Sequence, residues 1–196
     1  MPKKKEITKN AKVDVLIVGA GASGAAIAYS LTELGVSITC LEQGDWVDHT
    51  NFPSTKSDYE LHRYSEFSCD PNVRKLPQDY PINSEDSPIT PVNYNAVGGS
   101  TINYLGHWPR FHPSDFRTRS LDGVGKDWPI DYETLAPFYG INSNIMGVSG
   151  LPGNPAYPYY KTELPPITIG KLGQTLAKGF NKLGWHWWPS DTTILS

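Results

Sequence analysis

Residues 13–24, V-D-V-L-I-V-G-A-G-A-S-G, constrain this chain more than any other stretch. Apart from Asp14, the first six are apolar and mostly β-branched, as suits a strand buried on both faces of a parallel sheet. Such a strand running into closely spaced glycines predicts a sharp strand-to-helix turn. The next residues, A-A-I-A-Y-S-L-T-E-L, predict a helix that stops at Gly35. Residues 36–41, V-S-I-T-C-L, predict a second strand ending at Glu42. Residues 13–42 therefore read as one β-α-β unit of the usual length, roughly 30 residues.

The spacing of Gly19, Gly21 and Gly24 is that of a dinucleotide turn, and its context supplies what a lone G-x-G-x-x-G lacks. Gly19 allows the turn, Gly21 lets the backbone approach a pyrophosphate, and Gly24 lets the helix pack close to the strand. The pyrophosphate would sit on unpaired N–H groups at the helix start, around Ala22 and Ser23, where the helix dipole favours negative charge. Glu42, eighteen residues beyond Gly24, is placed to accept both hydroxyls of the adenosine ribose and to repel a 2′-phosphate. The expected ligand is the ADP half of NAD or FAD; the fingerprint alone does not separate them.

Beyond residue 44 the chain changes character. Most of its 18 glycines and 17 prolines lie there. Residues 44–91 show no sustained period and predict loops and short elements that cover the cofactor, with Trp46, Phe52, Tyr59, Tyr64, Phe67 and Tyr80 as packing material. A short strand is expected at 93–97, a helix over 131–146 with Asp131 as N-cap, proline-rich loop over 150–166, and a helix over 170–183. That last helix carries Leu172, Leu176, Phe180 and Leu183 at helical spacing. W-H-W-W at 185–188 reads as the start of another strand.

Several classes of function find no support. The net charge of −3 leaves no basic footprint for nucleic acid, and Lys3–Lys5 reads as a solvated tail. No stretch approaches the ~18 apolar residues of a membrane span. Cys40 and Cys69 have neither metal-ligand nor redox spacing, so no metal site is expected. Two reduced thiols without a secretory signal point to the cytoplasm.

A second glycine turn, N-A-V-G-G-S-T-I-N-Y, again presents backbone N–H groups and hydroxyls at Gly98, Gly99, Ser100 and Thr101, followed by the polar Asn103. Taken with it, D-V-L-I-V-G-A-G-A-S-G, Glu42, W-P-R-F-H-P-S-D-F (108–116), R-S-L-D-G-V-G-K-D-W-P-I (119–130) and L-G-W-H-W-W-P (183–189) resemble the N-terminal part of the glucose–methanol–choline (GMC) oxidoreductases. The likeness is to the branch that contains gluconate-2-dehydrogenase-type flavoproteins and choline-dehydrogenase-like relatives, and it covers nearly the whole chain. The resemblance implies FAD, with its ADP half at 19–24 and Glu42 and its isoalloxazine ring near 98–103. It implies hydride transfer from a CH–OH carbon of a small alcohol or sugar to the flavin, the electron acceptor being left open. Where some members link the flavin to a histidine, this sequence reads Ile102-Asn103, so noncovalent FAD is expected.

In that family the catalytic base is a histidine near the C-terminus of a far longer chain. The resemblance therefore implies an FAD-binding portion that is inactive alone, and no catalytic residue is assigned here. His112 and His186 read as structural. His107 follows the glycine turn closely enough to approach a flavin but also reads better as structural. Arg110 either stabilises a reduced flavin or pairs with Asp115. The expected architecture is α/β: a Rossmann-like FAD-binding domain over 12–150, with an incomplete parallel sheet and the 44–91 insertion, then the start of a substrate domain over 151–196. Two other readings stay open, an NAD-dependent dehydrogenase with one Rossmann domain and a non-catalytic nucleotide-binding module. The first leaves 98–116 without a role.

Overall fold

Val15–Val18 and Ile38–Leu41 form strands β1 and β2, which pair in parallel with Val15 opposite Ile38 and Val18 opposite Leu41. Between them runs α1, Ala22–Leu31, extended by a 3-10 turn over Thr32–Leu34 and ended by Gly35 in the left-handed conformation (φ 65°). The β-α-β reading of 13–42 is thus realised, and the architecture is α/β. β2 starts two residues later than expected. Ser37 does not join the ladder but latches the strand ends together: its N–H and hydroxyl both donate to Asp14 Oδ2, at 2.8 and 2.6 Å.

The computed structural model describes residues 12–194 except 49, 51–56, 59–60, 62–67, 78, 80 and 91. Lys3–Lys5, Phe52, Tyr59, Tyr64, Phe67 and Tyr80 lie outside the described residues, so their expected roles find no counterpart here. Trp46 is described, and it is 66% exposed, not packed. The sheet has two strands among the described residues. β1 is covered on one face only: Ile17 is buried, whereas Leu16 and Val18 remain 56% and 82% exposed. Burial on both faces, expected from its composition, does not hold among these residues, since a sheet face stays dry only where another layer covers it.

The chain divides into two compact units, residues 1–104 and 105–196. In the first, the region beyond β2 is organised by one buried cation. The short helix α2, Pro71–Arg74, is capped by Asp70, whose carboxylate accepts from Asn72 N–H at 2.8 Å. Arg74 closes that helix and forms a fork on Asp79, with Nη2–Oδ1 at 2.6 Å and Nε–Oδ2 at 2.9 Å. Its remaining N–H groups donate to the carbonyls of Ser68 and Asn93, and its guanidinium stacks on the Tyr94 ring at 4.3 Å. This explains why the strand expected at 93–97 shrinks to a single parallel bridge between Asp45 and Ala96. The neighbouring backbone groups are already committed: Asn93 N–H donates to Cys69 O and Tyr94 N–H to Ser100 Oγ.

The second unit contains α3 (Thr118–Asp122), α4 (Tyr132–Met146) and α5 (Gly170–Leu183), so both long helices read from sequence are present. Asp131 caps α4 by accepting from Thr134 N–H at 2.8 Å, and Gly147 ends it in the left-handed conformation. α5 ends the same way at Gly184. Its apolar spacing is real, yet Leu172, Leu176 and Leu183 stay exposed while Ala177 is buried. No strand forms at 185–188. There the indole N–H of Trp187 turns back to Asn181, and that of Trp188 donates to Leu151 O. Pairing begins three residues later, past Pro189, where Trp108 N–H donates to Asp191 O and Thr193 N–H to Gly106 O.

The core of this unit is Phe116, Tyr132, Val148 and the buried Ser149. Ser149 exchanges both backbone bonds with Thr192 and donates its hydroxyl to Ile194 O. Residue 150 lies within this unit. Gly150 N–H donates to Leu164 O, and both Glu163 and Leu164 N–H donate to Val148 O, so the chain crosses that point as packed structure.

Candidate cofactor site

Gly19 takes φ +94°, a conformation open to glycine, and its N–H donates to Leu41 O at 2.7 Å, fastening the turn to β2. Gly24 sits where α1 passes the turn. A Cβ there would overlap the Gly19 carbonyl oxygen and come within 3.2 Å of Ile17 Cγ2. The close helix–strand contact that the fingerprint demands is therefore present. A Cβ on Gly21 would meet nothing within 4 Å, so that side of the turn is open to a ligand. No side chain caps the start of α1, which leaves the N–H groups around Ala22 and Ser23 available to an anion.

Glu42 leaves the end of β2 and turns back over the glycine turn. Its Oε2 accepts from Ala20 N–H at 2.6 Å and its Oε1 from Gly44 N–H at 2.8 Å. These bonds, that from Gly44 first and that from Ala20 next, hold the carboxyl below the ordinary glutamate range. An ionised carboxylate offers about four acceptor positions, so two backbone bonds leave capacity for the ribose hydroxyls of a nucleotide. Glu42 lines a groove of 520 Å³ together with Val18, Gly19, Leu41, Gln43 and Asn95, at the C-terminal ends of the parallel strands. That is where open α/β sheets bind their ligands.

The second glycine turn comes to the same place. Gly98 N–H donates to Ala20 O at 2.9 Å, and a Cβ on Gly99 would lie 3.3 Å from Gly21 Cα. Gly98 and Gly99 have φ of +99° and +58°, two successive residues in a conformation that side chains disfavour. A 3-10 helix over Gly99–Asn103 follows. Its hydroxyls are partly committed: Ser100 Oγ accepts from Tyr94 N–H, and the Thr101 hydroxyl donates to Gly98 O within the turn. Asn103 ends this helix half-buried. Of the residues expected here, Gly19 and Glu42 line the groove, and Gly98 and Gly99 meet the first glycine turn at Ala20 and Gly21. Ala22, Ser23 and Gly24 belong to the start of α1, and Ser100 and Asn103 to the 3-10 helix that follows the second turn. Gly44 and Asn95 escaped the sequence reading. A glycine two residues beyond the acidic strand end was a visible signal for the first; nothing marked the second.

The histidines among the described residues, His107, His112 and His186, belong to the second unit. Each has a local partner: His107 lies 3.5 Å from Ser190 Oγ, His112 3.0 Å from Ala156 O, and His186 3.0 Å from Asn154 Oδ1. His112 also stacks on Tyr157 at 4.1 Å between ring centroids. Asp115 is engaged by His112 N–H at 2.7 Å, and Arg110 turns elsewhere. Its buried guanidinium lies 4.0 Å from the Tyr160 ring centroid and 5.3 Å from that of Tyr139. The Tyr160 hydroxyl donates to Asp191 Oδ2 at 2.7 Å. Burial, foremost, raises the pKa of both Tyr160 and Asp191. Among the described residues no group of three or more His, Cys, Asp or Glu side chains is placed to hold a metal, and no helix is long and apolar enough to cross a membrane.

Residues 14–61 match the family described as FAD dependent oxidoreductase. Along most of its length the chain is similar to the 2-methyl-1,2-propanediol dehydrogenase of Mycolicibacterium austroafricanum, with 45% identity over 94% of this chain and 34% of that protein. It is 28% identical to the fructose dehydrogenase large subunit of Gluconobacter japonicus, over 87% of this chain and 34% of that subunit. The gluconate 2-dehydrogenase flavoprotein of Pantoea cypripedii is 27% identical over 71% of this chain and 26% of that protein. The chain spans about a third of the length of the first two relatives. β1, the glycine turn, α1, β2 and Glu42 all fall inside the stretch that matches this family.

Proposed function

We propose that the groove at the ends of β1 and β2 binds FAD noncovalently, and that the protein belongs to a GMC-type oxidoreductase that passes hydride from the CH–OH carbon of an alcohol or sugar to the flavin. The observation that carries this is the meeting of the two glycine turns beside Glu42, inside a unit whose first half matches an FAD-dependent family. In this reading the N–H groups around Ala22 and Ser23 receive the pyrophosphate and Glu42 receives the ribose hydroxyls. Gly98, Gly99, Ser100 and Asn103 form the second wall, on the side toward the isoalloxazine ring. FAD when bound supplies the two-electron acceptor; the residues described here bind and orient it.

The names of the relatives, a diol dehydrogenase, a fructose dehydrogenase and a gluconate dehydrogenase, support a polyol or sugar-type substrate. We assign no catalytic base among the described residues, since His107, His112 and His186 each have a local structural partner. The residues at 151–194 would contribute to the substrate side of the protein. Exposed, unpaired Cys40 and Cys69 support a reducing compartment such as the cytoplasm.

The test is a titration of the 196-residue chain with FAD and, separately, NAD, followed by flavin fluorescence and thermal shift. Saturable FAD binding that Glu42→Ala weakens is the expected result. Preference for NAD would overturn the reading in favour of a nicotinamide enzyme. For the activity, a full-length relative-sized protein carrying this segment should bleach its flavin when a polyol is added anaerobically.

A further inference from the structure

Gly44 lies outside the glycine fingerprint, yet like Gly24 it sits where another stretch of backbone leaves no room for a side chain. A Cβ at this position would overlap both the backbone nitrogen and the Cα of Ala96. Gly44 is buried, and its φ is not in the left-handed region, so conformational freedom does not explain a glycine here. Proximity does: the exit of β2 and the approach to the second glycine turn lie backbone to backbone.

That approach closes a ring of contacts around the groove. Ala20 N–H donates to Glu42 Oε2, and Glu42 Oε1 accepts from Gly44 N–H. Beside Gly44, Asp45 pairs with Ala96, and Val97 N–H donates to Asp45 O at 3.1 Å. Ala96 O accepts from Gly99 N–H at 2.7 Å, and Gly98 N–H returns to Ala20 O at 2.9 Å. One side chain, the Glu42 carboxylate, completes a circuit otherwise made of backbone.

We propose that Gly44 is a positioning residue for the cofactor: the absence of a side chain at 44 seats residues 96–99 on the first glycine turn and so fixes the spacing of the two walls of the groove. This rests on the assignment of the groove to FAD. A Cβ at 44 cannot be relieved by a rotamer change, because what it meets is backbone. Ala96 and the turn that follows must move away, and the bond from Gly98 to Ala20 opens with them.

The experiment compares the wild-type chain with Gly44→Ala and with Gly35→Ala. The second replaces a left-handed glycine whose Cβ position is free of contacts, so it costs stability without touching the ring. FAD titration at a temperature where all three are folded should show Gly44→Ala weakened by roughly tenfold or more and Gly35→Ala close to wild type. Hydrogen exchange without cofactor reads the ring directly: the amides of Gly98 and Gly99 should be protected in wild type and exposed in Gly44→Ala, with β1 and α1 still protected. Unchanged FAD affinity in Gly44→Ala, or unchanged protection at Gly98 and Gly99, overturns the proposal. Loss of protection throughout β1 and α1 overturns it as well, since a positioning role is local. If wild type takes up no FAD, the cofactor assignment fails, and the exchange comparison still decides whether Gly44 seats the second turn.

Discussion

At Gly24 a single methyl group has nowhere to go. The position faces the Gly19 carbonyl on one side and Ile17 on the other, and Gly19 is itself fastened to Leu41. Gly24→Ala should therefore destabilise the first unit by about 1–3 kcal/mol, the usual cost of forcing an extra carbon into a closed site; urea unfolding measures it. Glu42 makes a different prediction. Its carboxyl titrates below the ordinary glutamate value of 4.5 because Gly44 and Ala20 donate to the ionised form. What that brace contributes is complete above pH 4.5 and is lost as pH falls through the lowered folded value. FAD affinity should be flat near neutrality and decline in acid, and Glu42→Gln, which cannot titrate, should lose that acid-side decline. The roles of Gly19, Gly24 and Glu42 were legible in the sequence because each depends on neighbours within one β-α-β unit. The reason for Gly44 was not, although its place after Glu42 was visible, since what forbids its side chain is Ala96, a residue more than fifty positions away.

The elements divide along the same line. α1, α4 and α5 were readable because their signals are local: apolar spacing, Asp131 as N-cap, and glycines at 35, 147 and 184 that stop a helix. The strands expected at 93–97 and 185–188 failed because a strand exists only through its partner. At 93–97 the backbone groups go to Cys69, Arg74 and Ser100; at 185–188 the indoles fold back on α5 and Leu151. Arg74 is the element-scale determinant of the first unit. It joins α2, Asp79, Ser68 and Asn93 from a fully buried position. Arg74→Ala strands the carboxylate of Asp79 in the interior and should cost about 3–5 kcal/mol. The same variant frees the Asn93 carbonyl and should loosen the approach to Gly98, so FAD affinity should fall along with the denaturation midpoint. Asp79→Asn, which keeps a hydrogen-bonding partner for the guanidinium, should lose less on both counts.

Across the whole chain, apolar surface is exposed in quantity. Val18, Leu105 and Tyr159 are each more than 70% exposed, in addition to Leu172, Leu176 and Leu183 on α5. Large contiguous apolar patches on a protein surface mark places where something else binds or where copies associate. Isolated as 196 residues, the chain should bind a hydrophobic dye strongly and show concentration-dependent association in sedimentation velocity. A monomeric, dye-silent chain would show that these side chains cover one another in solution.

The bond from Gly98 to Ala20 joins residues far apart along the polypeptide. Residues 13–42 emerge before residue 100 during synthesis and can assume their local shape at once, but one side of the groove is missing until the chain near residue 100 has returned to them. Closing that long intervening loop has an entropic cost that no contact offsets before the ends meet. The cradle for the cofactor is therefore the product of a late encounter, not of the early β-α-β unit alone. In time-resolved refolding, helix formation should precede flavin capture by a measurable lag, and the lag should shorten when the loop between the two turns is made shorter.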